Sequence, residues 1–220
     1  MRERFEKQMQ LLNNDLMLMG SSAEQAIQNA ILALQNQDEE AAKNAIELER
    51  ELDSQERTVE SLCLKLILEQ QPVAGDLRLI SSALKMITDM ERIGDQAADI
   101  AELAMRLRGQ AFIKPLTHLP QMAQQTIEMV TGSVDAFIQK DLKKAEDVWK
   151  MDDNVDSFFD IIKSELIRLI QRNAENGEQA VDLLMIAKYF ERIGDHAQNI
   201  SEWVIFSLTG VHKGEGREAQ

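Results

Sequence analysis

The chain has 220 residues, 38 of them acidic and 24 basic, giving a net charge of −14, and it contains a single cysteine. A bare surface of that sign repels nucleic-acid phosphates and anionic headgroups, which excludes direct nucleic-acid binding. No run approaches the roughly 20 apolar residues of a membrane span, and Met1–Lys7 lacks the apolar stretch of a signal peptide. A cytoplasmic protein with no direct membrane insertion is expected, and lone Cys63, on an apolar helix face, reads as a core residue in a reducing compartment.

Ten Gly and three Pro are few for this length, and β-branched alternation is almost missing, so the fold class is all-α with long helices and short connections. The first helix is expected from about Arg4 to Gln35, its buried stripe being Leu12, Leu16, Met19, Ala23, Ile27, Ala30 and Leu34, with Gly20 and Ser21-Ser22 as a place to bend. Asp38 is the N-cap of a second helix reaching about Glu69, stopped by Pro72. Gly75-Asp76 opens a third, ending near Arg106–Arg108 with Gly109 as its cap. Residues 109–118 form an extended connection, and Pro120 starts the fourth helix. Asp141 caps the fifth, Asn176-Gly177 breaks before the sixth, and that helix ends at Thr209-Gly210. Residues 211–220 read as a disordered tail.

The two halves repeat. Ala33-Leu34 with Asp38 matches Ala136-Phe137 with Asp141, and Leu52-Asp53-Ser54 matches Val155-Asp156-Ser157, both at an offset of 103. The pentapeptide Glu-Arg-Ile-Gly-Asp at 91–95 and 191–195 repeats at an offset of 100, which a three-residue-shorter loop before the sixth helix would explain. The organisation implied is two pseudo-symmetric three-helix bundles, residues 1–108 and 119–210.

Acidic residues gather at the repeated pentapeptide. Glu91, Asp95, Asp99 and Glu102 fall within an arc of about 80° on one helix face, opposite Met86, Met90, Ile93, Ala97 and Ile100. Glu191, Asp195 and Glu202 repeat the stripe. An amphipathic helix often shows such a face merely because it is solvated, but like charges at i,i+4 destabilise a helix. Gly94 and Gly194 each add a cost of about 1 kcal/mol relative to Ala. Glu49/Asp53 and Asp152/Asp156 place similar pairs on the neighbouring helices, while Glu56 and Glu60 read as ordinary surface because Phe159 and Lys163 replace them in the second half. If neighbouring helices pack antiparallel, four or five carboxylates converge in each half, and a hard multivalent cation such as Mg, Mn, Ca or ferric iron is the natural remedy. His196 corresponds to Gln96, so a site common to both halves cannot need it. His118 and His212 are expected in loops, and Trp149, Trp203 and Tyr189 in the core or at its edge.

The doubled pentapeptide, the acid pairs, Gln71-Pro72 with Asp76-Leu77-Arg78, and the three-plus-three architecture resemble the PhoU family of bacterial phosphate-transport regulators over residues 5–208. The resemblance implies a regulator and not an enzyme. It would damp the phosphate-starvation response by linking the ATPase subunit of the Pst phosphate importer to a sensor histidine kinase. A homodimer, peripherally membrane-associated through those partners, is the expected state. The resemblance also implies multinuclear metal clusters, with iron or zinc in some relatives and magnesium or manganese as the alternative. Carried over by motif, the ligands would be Glu49, Asp53, Glu91, Asp95 and Asp99 in one half. Asp152, Asp156, Glu191 and Asp195 would serve the other, with neutral Asn199 in the remaining position. Two further classes compete. A carboxylate-bridged di-metal enzyme would need the i+3 His that both Glu-containing motifs lack, and a purely structural bundle leaves the doubled acid stripes without a purpose.

Overall fold

The computed structural model describes residues 2–70 and 72–212. The described residues form α1 (Arg2–Asn36), α2 (Glu39–Gln70), α3 (Ala74–Arg106), α4 (His118–Gln139), α5 (Leu142–Arg172) and α6 (Gly177–Thr209), with one 3-10 turn at Ala174–Asn176 and no strand. Each boundary has a local cause. Asp38 accepts hydrogen bonds from the backbone N–H groups of Glu40 and Ala41, and Asp141 from that of Lys144, satisfying donors that the first helical turn cannot pair internally. The residue before each cap, Gln37 and Lys140, takes the left-handed conformation at φ 52° and 54°, so both hairpins turn in the same way.

Short turns make consecutive helices antiparallel. Helices α1, α2 and α3 all touch one another, as do α4, α5 and α6, and the two trios join where α3 meets α6 and α1 meets α4. Helices α2 and α5 touch only their own trio, so they are the outermost elements. The buried apolar side chains nevertheless form one continuous core running through all six helices. Cys63 lies fully inside it, and burial pushes its thiol up to about 12, which leaves it un-ionised and inert.

The structure revises three local expectations. Gly20 sits inside an unbroken α1, where a Cβ would stand 3.1 Å from Val134 Cγ2 of α4, so its role is close helix contact. His118 is the first residue of α4 and not a loop residue. The shift from 103 to 100 is not a shortened loop. Glu91 lies 17 residues after Ala74 at the head of α3, whereas Glu191 lies 14 after Gly177 at the head of α6; the missing residues come from the helix itself. The connection between the trios is firmly held. The buried Gln179 amide donates to the Ala111 carbonyl and accepts from the Ile113 N–H, and Gln37 bonds Gly109 and Gln110 in the same manner. The expected tail lies outside the described residues from position 213 onward. His212 itself stacks on Phe206, with ring centroids 4.2 Å apart.

Candidate metal centre

The glycine of each pentapeptide is explained by what faces it. A Cβ on Gly94 would stand 2.6 Å from Leu52 Cδ1 and 3.6 Å from Glu49 Cα. On Gly194 it would stand 3.0 Å from Asp152 Oδ1 and 3.1 Å from Val155 Cγ1. Helices α2 and α3, and likewise α5 and α6, therefore approach more closely than a side chain at these positions would comfortably allow, and they do so beside their acid pairs. The helix-propensity cost of each glycine is the condition for laying two carboxylate pairs side by side.

The carboxylates respond to one another across that seam. Glu49 has a raised pKa, first because burial strips its hydration and then because Asp53 and Asp95 repel its charge. Glu91 is raised by burial and by Asp95, with Glu56 and Asp53 adding repulsion. In the second half, burial pushes Asp152 up to about 7, with Asp156, Asp195, Glu191 and Asp153 contributing repulsion. Asp156 and Asp195 are also raised, each by burial first and by Glu191 next. Mutual repulsion of this kind marks sites where a positive group belongs. Within the two five-residue sets expected from sequence, Glu49, Asp53, Glu91 and Asp95 in one half and Asp152, Asp156, Glu191 and Asp195 in the other thus lie near enough to repel one another.

Cationic side chains partly fill that need. Asp53 pairs with Arg57 at 3.1 Å, Asp95 with Arg92 at 2.9 Å, and Glu191 with Lys188. With the side chains so turned, no group of three or more His, Cys, Asp or Glu among the described residues converges closely enough to hold an ion. The donor set nevertheless suits a hard cation. It is all oxygen, and it includes Asp152 Oδ1, a buried oxygen without any hydrogen-bond partner that a metal would satisfy. Arg57, Arg92 and Lys188 are exposed enough to swing away.

Position 99/199 has different company. Asp99 lies beside the Tyr189 hydroxyl and Arg192, both on α6, which partly offset the burial and the repulsion from Glu102 and Asp95 that raise its pKa. At the equivalent position, Asn199 Nδ2 donates to Asp89 Oδ1 of α3 at 3.3 Å, and His196 Nδ1 lies 2.8 Å from the same oxygen. These are two copies of one clasp across the α3–α6 contact. Their clue was present in the sequence: Asp89 and Tyr189 each stand two residues before a pentapeptide. Glu56, read as surface, accepts from Thr88 Oγ1 at 3.2 Å and repels Glu91, making it a first-half neighbour with no acidic counterpart in the second. Trp149 and Tyr189 are half-buried, and Trp149 Nε1 donates to Glu202 at 3.0 Å.

Comparison with known proteins agrees with this architecture. The family model described as "PhoU domain" matches residues 16–104 and 119–204, one match per trio. A Clostridium acetobutylicum protein named "phosphate-specific transport system accessory protein PhoU homolog" is 37% identical over 210 residues, covering 95% of this chain and 96% of that one. The Escherichia coli "phosphate-specific transport system accessory protein PhoU" is 31% identical, covering 94% of this chain and 86% of its own. The crystal structure of PhoU from Pseudomonas aeruginosa superposes with a TM-score of 0.90 at 29% identity, covering 94% of this chain and all of the other. A repeated domain match, two relatives aligned over nearly their full length and a shared fold establish that this chain belongs to the PhoU family.

Proposed function

We propose that the protein is a metal-binding negative regulator of phosphate uptake and of the phosphate-starvation response, acting as an adaptor between the ATPase subunit of a phosphate importer and a sensor histidine kinase. Relatives named as accessory proteins of the phosphate-specific transport system support the system assignment. The observation that carries the metal reading is Asp152: a buried carboxylate with one unsatisfied oxygen, surrounded by four other acids. A bound hard cation would supply charge neutralisation there and at the matching tetrad. The protein would supply the oxygens of Glu49, Asp53, Glu91 and Asp95 in one half and of Asp152, Asp156, Glu191 and Asp195 in the other. Asp99 and Asn199 sit at the rim of these groups, held by the inter-trio clasps. No helix of the described residues is long and apolar enough to cross a membrane, so contact with a transporter runs through protein partners.

Two measurements test this reading. Deleting the gene should switch on phosphate-starvation genes in phosphate-rich medium; continued repression refutes the regulatory role. Replacing Asp95 and Asp195 together by Ala should sharply lower the metal content of the purified protein while its helical circular dichroism persists. Unchanged metal stoichiometry refutes the ligand assignment.

A further inference from the structure

At the far end of the second trio the electrostatic sign reverses. The last two turns of α5 and the segment leading into α4 border an open surface pocket of about 320 Å³ lined by half-buried Lys114 and Glu165 and by exposed Thr117, Arg168 and Arg172, among others. It lies well away from the carboxylate groups: Arg168 is 12 residues beyond Asp156 on α5, about 18 Å along the helix.

The polar groups of this pocket are almost all donors. Glu165 binds Lys114 in an ion pair, and His118 Nδ1 lies 3.3 Å from its other oxygen. Burial opposes ionisation of Glu165, but Lys114 and His118 outweigh it and hold its pKa below the usual carboxylate value. With Lys114 neutralised in this way, Arg168 and Arg172, one helical turn apart, face the pocket with no ion pair or hydrogen bond to any described residue. Thr117 makes no capping bond with its hydroxyl. Two arginines at i,i+4 repel one another, and in a chain with 38 acidic residues carboxylate partners are plentiful elsewhere. The first half has no equivalent: the offset of 103 puts Lys65 and Glu69 where Arg168 and Arg172 stand, and Glu69 is occupied by Arg4.

The geometry points to a binding site for hydrogen phosphate in this pocket. Two guanidinium forks match the oxygens of a tetrahedral oxoanion, and the Thr117 hydroxyl and the remaining Lys114 N–H groups add donors. A carboxylate offers about four lone-pair directions, so Glu165 retains acceptor capacity beside Lys114 and His118. That acceptor selects an oxoanion that still carries a proton. Hydrogen phosphate donates its P–O–H to Glu165, whereas sulfate at neutral pH has no proton to give and meets only repulsion there. The site goes beyond the regulatory reading and does not depend on it: loss of phosphate binding and loss of gene repression are separate results.

The test is calorimetric titration of the full chain with inorganic phosphate, and separately with sulfate, at pH 7 and constant ionic strength. Saturable binding of phosphate with at least about tenfold preference over sulfate is expected. Arg168→Ala combined with Arg172→Ala should weaken it by about tenfold or more, the size of a lost charge-assisted contact. Thr117→Val, which leaves every charge in place, should weaken it less, and Glu165→Gln should remove the preference over sulfate. No saturable binding, equal affinity for the two anions, or phosphate affinity unchanged in the double arginine variant would each overturn the proposal; the last would move any bound phosphate to a different part of the molecule. Circular dichroism of each variant establishes that the helices are retained.

Discussion

Asp152 is only 7% exposed, one of its oxygens lacks a partner, and four carboxylates surround it. Its pKa rises from 3.8 to about 7, so between about pH 4 and pH 7 the folded protein binds more protons than the unfolded chain. Stability must then fall as pH rises through that window, the reverse of the usual behaviour of a salt-bridged carboxylate. Glu49, Glu91, Asp156 and Asp195 shift in the same direction and reinforce the slope at its acidic end. In EDTA, the urea midpoint should decline from about pH 5 to about pH 7.5, by an amount corresponding to a few kcal/mol. Asp152→Asn should flatten the upper part of the decline and stabilise the metal-free protein at neutral pH. Adding a divalent cation to the wild type should restore the midpoint by mass action. A wild-type profile that is flat in EDTA would show that water or a neighbouring cation already compensates the charge.

At the level of helices, the same substitution should have opposite signs at two glycines of α3. A methyl group added at Gly75 would meet nothing within 4 Å, so Gly75→Ala should stabilise by up to about 1 kcal/mol through helix propensity alone. Gly94→Ala drives a methyl to 2.6 Å from the fully buried Leu52, and the overpacking penalty of about 1–3 kcal/mol exceeds the propensity gain. Gly94→Ala should lower the melting temperature and the metal affinity together, because it pushes α2 away from α3 at the acid pairs; a rise in melting temperature would show that Leu52 yields without cost. Much at this level was legible in the sequence. The caps Asp38 and Asp141 are local signals, read from neighbouring residues, and both hold. The apolar stripe of α1 is found fully buried as expected. Placing residues that face a second neighbour is harder. A helical wheel puts Asp99 near Asp95, but cannot say that α6 supplies Tyr189 to it. Nor can it say that Glu56, without a counterpart in the repeat, stands beside Glu91. Comparison of the halves located the offset change yet assigned it to a loop, since sequence alone does not reveal where a helix begins.

One apolar core runs through all six helices and joins the two trios where α3 meets α6 and α1 meets α4, and the polar clasps lie across the α3–α6 contact. Asp89 serves His196 and Asn199 from one side, and Tyr189 serves Asp99 from the other. Positions 89 and 99 are about 15 Å apart along α3, so the clasps share no partner and should contribute independently. Each replaces a bond that water could otherwise make, worth about 1 kcal/mol net. For a chain of this size that corresponds to about 2–4 °C in melting temperature. Tyr189→Phe and Asp89→Ala should each lower the melting temperature by that amount, and together by about 4–8 °C, in a single transition. Metal content should stay unchanged in all three variants, since neither clasp draws on the acid tetrads. Two resolved transitions in the double variant would mean that the polar clasps, and not the shared apolar core, hold the trios together. A loss of metal would mean that Asp99 and Asp89 also orient the carboxylates, and the division between clasp and metal site drawn from the geometry would fail.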